Sequence, residues 1–231
     1  MTTLVAPAAS GKTTLIHGWD ASGSSPAMAY LALDTMDNDE GWFWSRIGSA
    51  LARAKPDFAA ESVAGLTTSR TPPHALNELV AALSGPRPVV LALDDADALT
   101  NPAITSVLAD LLLSLPDSVR VVLAYRGDPP FRQGLLRARG QLAEIDGRDL
   151  ALRPDELPAF FELHDVSLGP AELRALHKQT EGWLGGTKLA ALGVSSHADP
   201  SAFVETFTGS NRYVSDLLHG EVLDRQHPAV R

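Results

Sequence analysis

The residues best suited to chemistry stand close to the start of the chain: Ala6, Pro7, Ala8, Ala9, Ser10, Gly11, Lys12, Thr13 and Thr14. Apolar Leu4 and Val5 precede them, and Leu15, Ile16 and Trp19 follow at helical spacing. Strand, loop, helix is the context that a phosphate-binding loop requires. Backbone N–H groups of the loop and the positive end of the helix would face a polyphosphate. Lys12 is placed to reach the β- and γ-phosphates, and Thr13 to set its hydroxyl on Mg²⁺. Ala6 replaces the first glycine of the usual pattern, and Ala9 stands where a second is common. A loop that curls around phosphate favours residues free to take positive φ. Gly-Lys-Thr also occurs in surface turns, so this stretch alone leaves nucleotide binding open.

A second candidate is the apolar run Val89 to Leu93, which ends in Asp94 and Asp95. Open α/β sheets bind ligands at the carboxyl ends of their strands. A metal on the β/γ-phosphates needs a carboxylate there, and Asp94 fits that role. Asp95 is placed to orient or deprotonate an attacking water. Taken alone, such an acidic pair reads as a solvated strand end; joined to the upstream Gly-Lys-Thr, it reads as the second half of a P-loop site. Arg126 closes the next apolar run, Val119 to Ala124. It could contact the γ-phosphate as a bidentate donor or pair with Asp128 at the surface. The seven histidines show no metal-site spacing. Trp42, Phe43 and Trp44 read as core aromatics rather than a base-stacking platform. Ser10 has no strained elbow motif around it, so a hydrolase triad has no support.

The elements that must position these residues follow from periodicity. Strands are expected near residues 4–5, 27–33, 89–93, 119–124 and 142–145, the last short and edge-like. Helical stripes lie between them at Trp42, Phe43, Ile47 and Leu51, at Leu76, Leu79, Val80 and Leu83, and from Ile104 to Leu115 after an Asn101-Pro102 cap. Runs without alternation are buried on both faces. Strands alternating with helices imply a parallel sheet. The fold expected is α/β: a P-loop NTPase with a five-stranded parallel sheet flanked by helices, then a small all-α subdomain and a truncated winged-helix start. The domains expected are 1–148, 149–197 and 198–231. Residues 57–73 read as irregular. After residue 150, helices are expected at Leu157, Phe160 and Phe161 (with Pro158 inside), from Gly169-Pro170 to Gly182, at Leu189 to Val194, and from Phe203 onward.

Composition narrows the function classes. The chain has 231 residues, 45% of them apolar, and no cysteine. Disulfides and thiolate metal sites are excluded, which fits a reducing cytoplasm. No apolar run approaches a bilayer span. A net charge of −9 argues against nucleic-acid or anionic-membrane partners for this stretch. Met1 sits almost on the first strand, which points to a chain cut from something longer.

With these pieces placed, the chain resembles the nucleotide-binding (NB-ARC-like) core of STAND-class signalling ATPases, in particular LuxR-type, MalT-like transcriptional regulators. The words that carry the resemblance are Ala6 to Leu15, Leu33-Asp34, Asp37-Asn38-Asp39, Phe43-Trp44, Val90 to Asp95, Leu123 to Pro130, Leu136 to Leu142, Thr180 to Trp183, Lys188 to Leu192, Tyr213 and Glu221 to Gln226. The resemblance implies an ATP/ADP switch with Mg²⁺, reset by slow hydrolysis, that self-associates in the ATP state of the parent protein. It implies DNA contact only through a helix-turn-helix that this chain lacks, an inducer sensor that is likewise lacking, no membrane partner, and a cytoplasmic setting. The segment that precedes the first strand in the family is missing before Met1. The family's Gly-x-Pro reads Gly182-Trp183-Leu184. These departures, with Ala6 and Ala9, leave an alternative: a degenerate P-loop domain that serves as an interaction scaffold. A small-molecule P-loop kinase ranks third, since no arginine-rich lid is evident.

Overall fold

The computed structural model describes residues 1–58, 73–129, 131–197 and 199–207. Most of the stretch expected to be irregular, and the winged-helix start past residue 207, lie outside the described residues. The chain divides into two compact units: Met1–Ala6 with Lys12–Asp146, and Pro7–Gly11 with Gly147–Arg231.

The first unit is built on five strands, β1 (Thr2–Val5), β2 (Ala27–Ala32), β3 (Val89–Asp94), β4 (Val119–Tyr125) and β5 (Ala143–Asp146). All pairings are parallel and the order is β2-β3-β4-β1-β5. Every residue of β3 is buried, as an apolar run without alternation requires, whereas the edge strands β2 and β5 show exposed positions. Successive residues of β3 serve opposite faces. Val90 and Ala92 join Leu4, Ile16 and Val122 in one core. Leu91 and Leu93 join Phe43, Trp44, Ile47, Ile104 and Leu108 in the other. Helix α1 (Lys12–Ala21) therefore covers one face, and α2 (Glu40–Ala54), α3 (Pro73–Leu83) and α4 (Pro102–Ser114) supply the other. A short α5 (Gly134–Ala138) precedes β5.

One detail differs from expectation. Trp42 is 52% exposed, so it is not a core aromatic, while Phe43 and Trp44 are fully buried. The polar stretch after β2 has its own local order. Thr35–Asn38 forms a 3-10 turn capped by Asp34, whose side chain accepts from Met36 N–H while Asp37 accepts from Asp34 N–H.

The second unit carries α6 (Leu157–Glu162), α7 (Pro170–Thr180), α8 (Leu184–Ser195) and α9 (Pro200–Thr206) around a core of Leu157, Phe161, Leu176, Ala190, Val194 and Phe203. Pro158 sits in the first turn of α6, where no intrahelical N–H is lost, so it does not break the helix. Among the described residues, no helix is long and apolar enough to cross a membrane.

Candidate functional site

Parallel pairing brings the carboxyl ends of β1, β3 and β4 to one edge of the sheet. Val5 lies beside Tyr125, and Leu93 beside Leu123, so Ala6, Asp94 and Arg126 leave the sheet at nearly one level. Two strand spacings, about 10 Å, separate β1 from β3 because β4 lies between them. Helix α1 spans that gap. Thr13, in its first turn, donates its hydroxyl proton to Asp94 Oδ2 at 2.6 Å across 81 residues of sequence.

Asp94 is almost wholly buried, yet both of its oxygens are satisfied. Oδ2 also accepts from the Tyr30 hydroxyl at 3.1 Å, and Oδ1 accepts from Asp95 N–H at 3.0 Å. The contact with Asp94 also acts on Tyr30. Burial, then the Asp94 charge and the hydrogen bond to it, push its hydroxyl up to about 12. Tyr30 is thus a neutral donor at any physiological pH.

Lys12 opens α1 and is buried; its Nζ donates to Ala6 O at 2.7 Å. Burial first, then Arg126, draw its pKa below the ordinary lysine value, while Asp95, Asp94 and Asp97 act the other way. Its ammonium therefore lies within the field of all four groups, and the charge of a bound anion would offset the cost of its desolvation. Asp95 takes left-handed backbone, φ +53°. Its Oδ1 lies 3.4 Å from Arg126 Nη2, and Asp97 Oδ2 lies 3.9 Å from Arg126 Nε. Asp97 Oδ1 is buried and accepts no hydrogen bond among the described residues.

The donor set suits Mg²⁺. A carboxylate and a hydroxyl within hydrogen-bond distance of each other are the hard-oxygen ligands this ion takes from protein, and phosphate and water complete its shell.

The rest of the predicted loop, Pro7–Gly11, groups with the second unit. Ala8 and Ser10 are buried; Pro7 and Ala9 are exposed, as are Thr13 and Thr14 at the start of α1. Ala9 adopts φ +55° and Gly11 φ +89°. The Trp183 indole Nε1–H donates to Ala8 O at 2.9 Å. Pro7, Ala8, Ser10, Leu150, Trp183 and Leu184 help to line a cavity of about 330 Å³.

Tyr30 and Asp97 are neighbours of Asp94 and Arg126 that sequence reasoning missed. Asp97 was legible as a further acid of the same word. Tyr30 becomes visible only once β2 is paired with β3, where Tyr30 lies beside Ala92 and Ala32 beside Asp94. Trp183 lies 175 residues from the carbonyl it contacts.

No family model matches the chain. The chain is 30% identical over 231 residues to the HTH-type transcriptional regulator MalT of Cronobacter sakazakii, covering 96% of this chain and 25% of that protein. It is 26% identical over 233 residues to the serine/threonine-protein kinase PknK of Mycobacterium tuberculosis, covering 98% of this chain and 21% of that protein. The chain thus spans about a quarter of the length of these curated relatives. Among solved structures, a Signal Transduction ATPase with Numerous Domains (STAND) protein with a tetratricopeptide repeat sensor from Pyrococcus horikoshii superposes with a TM-score of 0.57 at 15% identity, over 88% of this chain and 29% of that one. That likeness establishes the fold alone: a five-stranded parallel sheet with its flanking helices.

Proposed function

We propose that this chain, MalT-like along its whole length and built on a P-loop ATPase fold, is an ATP/ADP-binding switch module of a signal-transduction regulator. The observation that carries the reading is the hydrogen bond between Thr13 and Asp94, with the buried Lys12 ammonium beside it. Lys12 would exchange its Ala6 carbonyl for β- and γ-phosphate oxygens. Thr13 and Asp94 would hold Mg²⁺, which when bound neutralises phosphate charge. Arg126 would move from Asp95 and Asp97 to a γ-phosphate oxygen. That exchange gives the two nucleotides different partners, since only ATP offers the oxygen. Asp95 would orient the attacking water. Its carboxylate is engaged with Arg126 until that exchange takes place, so hydrolysis would wait on the exchange and be slow, as suits a switch that resets rather than a metabolic enzyme.

The two relatives carry different names, one a kinase and one a transcriptional regulator. The similarity spans nearly all of this chain in both, so what they share is a module rather than either named activity. Self-association in the ATP state, DNA contact through a different part of a longer regulator, and work in the cytoplasm belong to the same proposal. The alternative, an interaction scaffold without effective nucleotide binding, is favoured by one observation: Ala9 holds a left-handed backbone better suited to glycine.

Thermal unfolding with Mg-ATP, Mg-ADP and metal-free ADP tests the proposal. A ligand at a hundred times its Kd stabilises the fold by about 2.7 kcal/mol, a clear rise in Tm. Lys12→Ala should abolish the rise. Asp94→Asn should remove its magnesium dependence. No shift of the wild-type chain at millimolar Mg-ATP or Mg-ADP would leave the scaffold reading standing.

A further inference from the structure

We infer that the turn Gly182–Gly186 is the second half of the phosphate loop, with Trp183 and Gly185 acting as positioning residues for Pro7–Gly11; this rests on the nucleotide-site reading above. The loop keeps Gly11 but lacks two glycines that usually shape it, since Ala6 and Ala9 stand in their places. Ala9 nevertheless takes φ +55°, a conformation that disfavours an L side chain and persists only where the surroundings over-determine it. Those surroundings are residues 183–185, and they belong to the same compact unit as the loop.

Three contacts define the arrangement. The Trp183 indole N–H donates to Ala8 O at 2.9 Å, which restrains the peptide that carries the Ala9 N–H. The Ala9 methyl occupies the space that Gly185 leaves open. A Cβ at position 185 would stand 2.7 Å from Ala9 Cβ and 2.9 Å from Trp183 Cζ2. Leu184 Cδ2 lies 3.0 Å from where a Cβ of Gly11 would be. The turn itself is anchored from behind. Gly182 holds φ +75° with its Cβ direction 2.4 Å from Leu152 O, and Leu152 N–H donates to Gly182 O at 2.9 Å. The alanine that departs from the loop pattern is thus matched by a glycine on α8, and the indole supplies a restraint the loop cannot provide for itself.

The test uses the whole chain with Trp183→Phe, Gly185→Ala, Ala9→Gly and the Ala9→Gly/Gly185→Ala double variant. Two readouts are taken: ADP affinity from a fluorescent analogue, and Tm without ligand. The Trp183 indole ¹H–¹⁵N signal, assigned by its loss in Trp183→Phe, is followed as well. Trp183→Phe keeps an aromatic ring and removes the donor, and should weaken ADP binding about tenfold, the equivalent of one hydrogen bond. Gly185→Ala improves helix propensity, so without the contact it would raise Tm. Instead it should lower both Tm and ADP affinity, and Ala9→Gly should restore part of each. Ala9→Gly alone should move the Trp183 indole signal with no nucleotide present. Additive effects of the two substitutions, with an indole signal indifferent to residue 9, would overturn the inference even where ADP binds normally. A wild-type chain that ignores ADP but shows the Tm coupling would instead remove the nucleotide reading and keep the positioning role.

Discussion

Asp94 accepts hydrogen bonds from Thr13, Tyr30 and the Asp95 backbone, and the middle one has no counterpart in the loop motif. The Tyr30 hydroxyl shares Oδ2 with Thr13, so it fixes the carboxylate oxygen that a metal would take. Groups that orient a metal ligand in this way typically change metal affinity by about tenfold or more when removed. Tyr30→Phe should therefore raise the Mg²⁺ concentration needed for half-maximal stabilisation of the ADP complex by about that factor. Metal-free ADP affinity should stay as it was. An equal loss in both would assign Tyr30 to general packing. Lys12 carries a pH prediction. Phosphate binds the ammonium form, and burial with Arg126 nearby has drawn the free protein's pKa below 10.5. Metal-free ADP affinity is thus full well below that lowered pKa and declines as pH rises through it, at a lower pH than for an ordinary lysine. Fluorescence titrations from neutral to alkaline pH follow the decline, and a profile flat up to pH 10.5 would remove Lys12 from the anion's neighbourhood.

At the scale of elements, the family word at Asp37-Asn38-Asp39 proves to be a structural joint. Asp37 is fully buried, paired with Arg46 and bonded to Asp34 N–H. Asn38 Nδ2 donates to Ala98 O, and its Oδ1 accepts from the N–H groups of Thr100 and Asn101. Asp39 caps α2 through Trp42 N–H. The stretch after Asp94 and Asp95 is therefore clamped to the stretch after β2. Glu172 does similar work at the start of α7, where it accepts from Gly169 N–H and from the Ser201 hydroxyl. The Ser201 bond, then the Gly169 bond, hold its carboxyl below the ordinary value of 4.5. That stabilisation is present above pH 4.5 and is lost as pH falls through the lowered pKa. Glu172→Gln should lower Tm at neutral pH, and the difference from wild type should close on acidification below pH 4.5. A gap of constant size across that range would assign the effect to shape rather than charge. β3 and β4 were legible because strands buried on both faces leave unbroken apolar runs. α5 was not, since five residues opened by glycine carry too short a period. Trp42 was misread because consecutive helical residues turn by about 100°, so three in a row cannot all face one core.

Over the whole molecule, local pattern revealed the order of strands and helices along the chain, and motif spacing pointed to Thr13 and Asp94, which the fold joins by a hydrogen bond. What stayed hidden depends on which strands become neighbours, as with Tyr30, or on chain ends brought together over long separations, as with Trp183 and Ala8. The chain also builds separate apolar cores. Leu91 belongs to one that includes Phe43 and Ile104, and Phe161 to another that includes Leu176 and Phe203. Leu91 and Phe161 are each at most 2% exposed, so truncation leaves a cavity in its own core: Leu91→Ala should cost about 2–5 kcal/mol and Phe161→Ala about 3–5 kcal/mol. Stability need not be uniform along a chain with distinct cores, and amide hydrogen exchange reads it locally. Phe161→Ala should speed exchange in α7 and α8 while the β3 amides keep their protection; Leu91→Ala should do the reverse. Should either substitution accelerate both sets alike, the two units would unfold as one cooperative body. With separate responses, Phe161→Ala should also weaken ADP binding, because Pro7–Gly11 is held by the same unit that loses its packing.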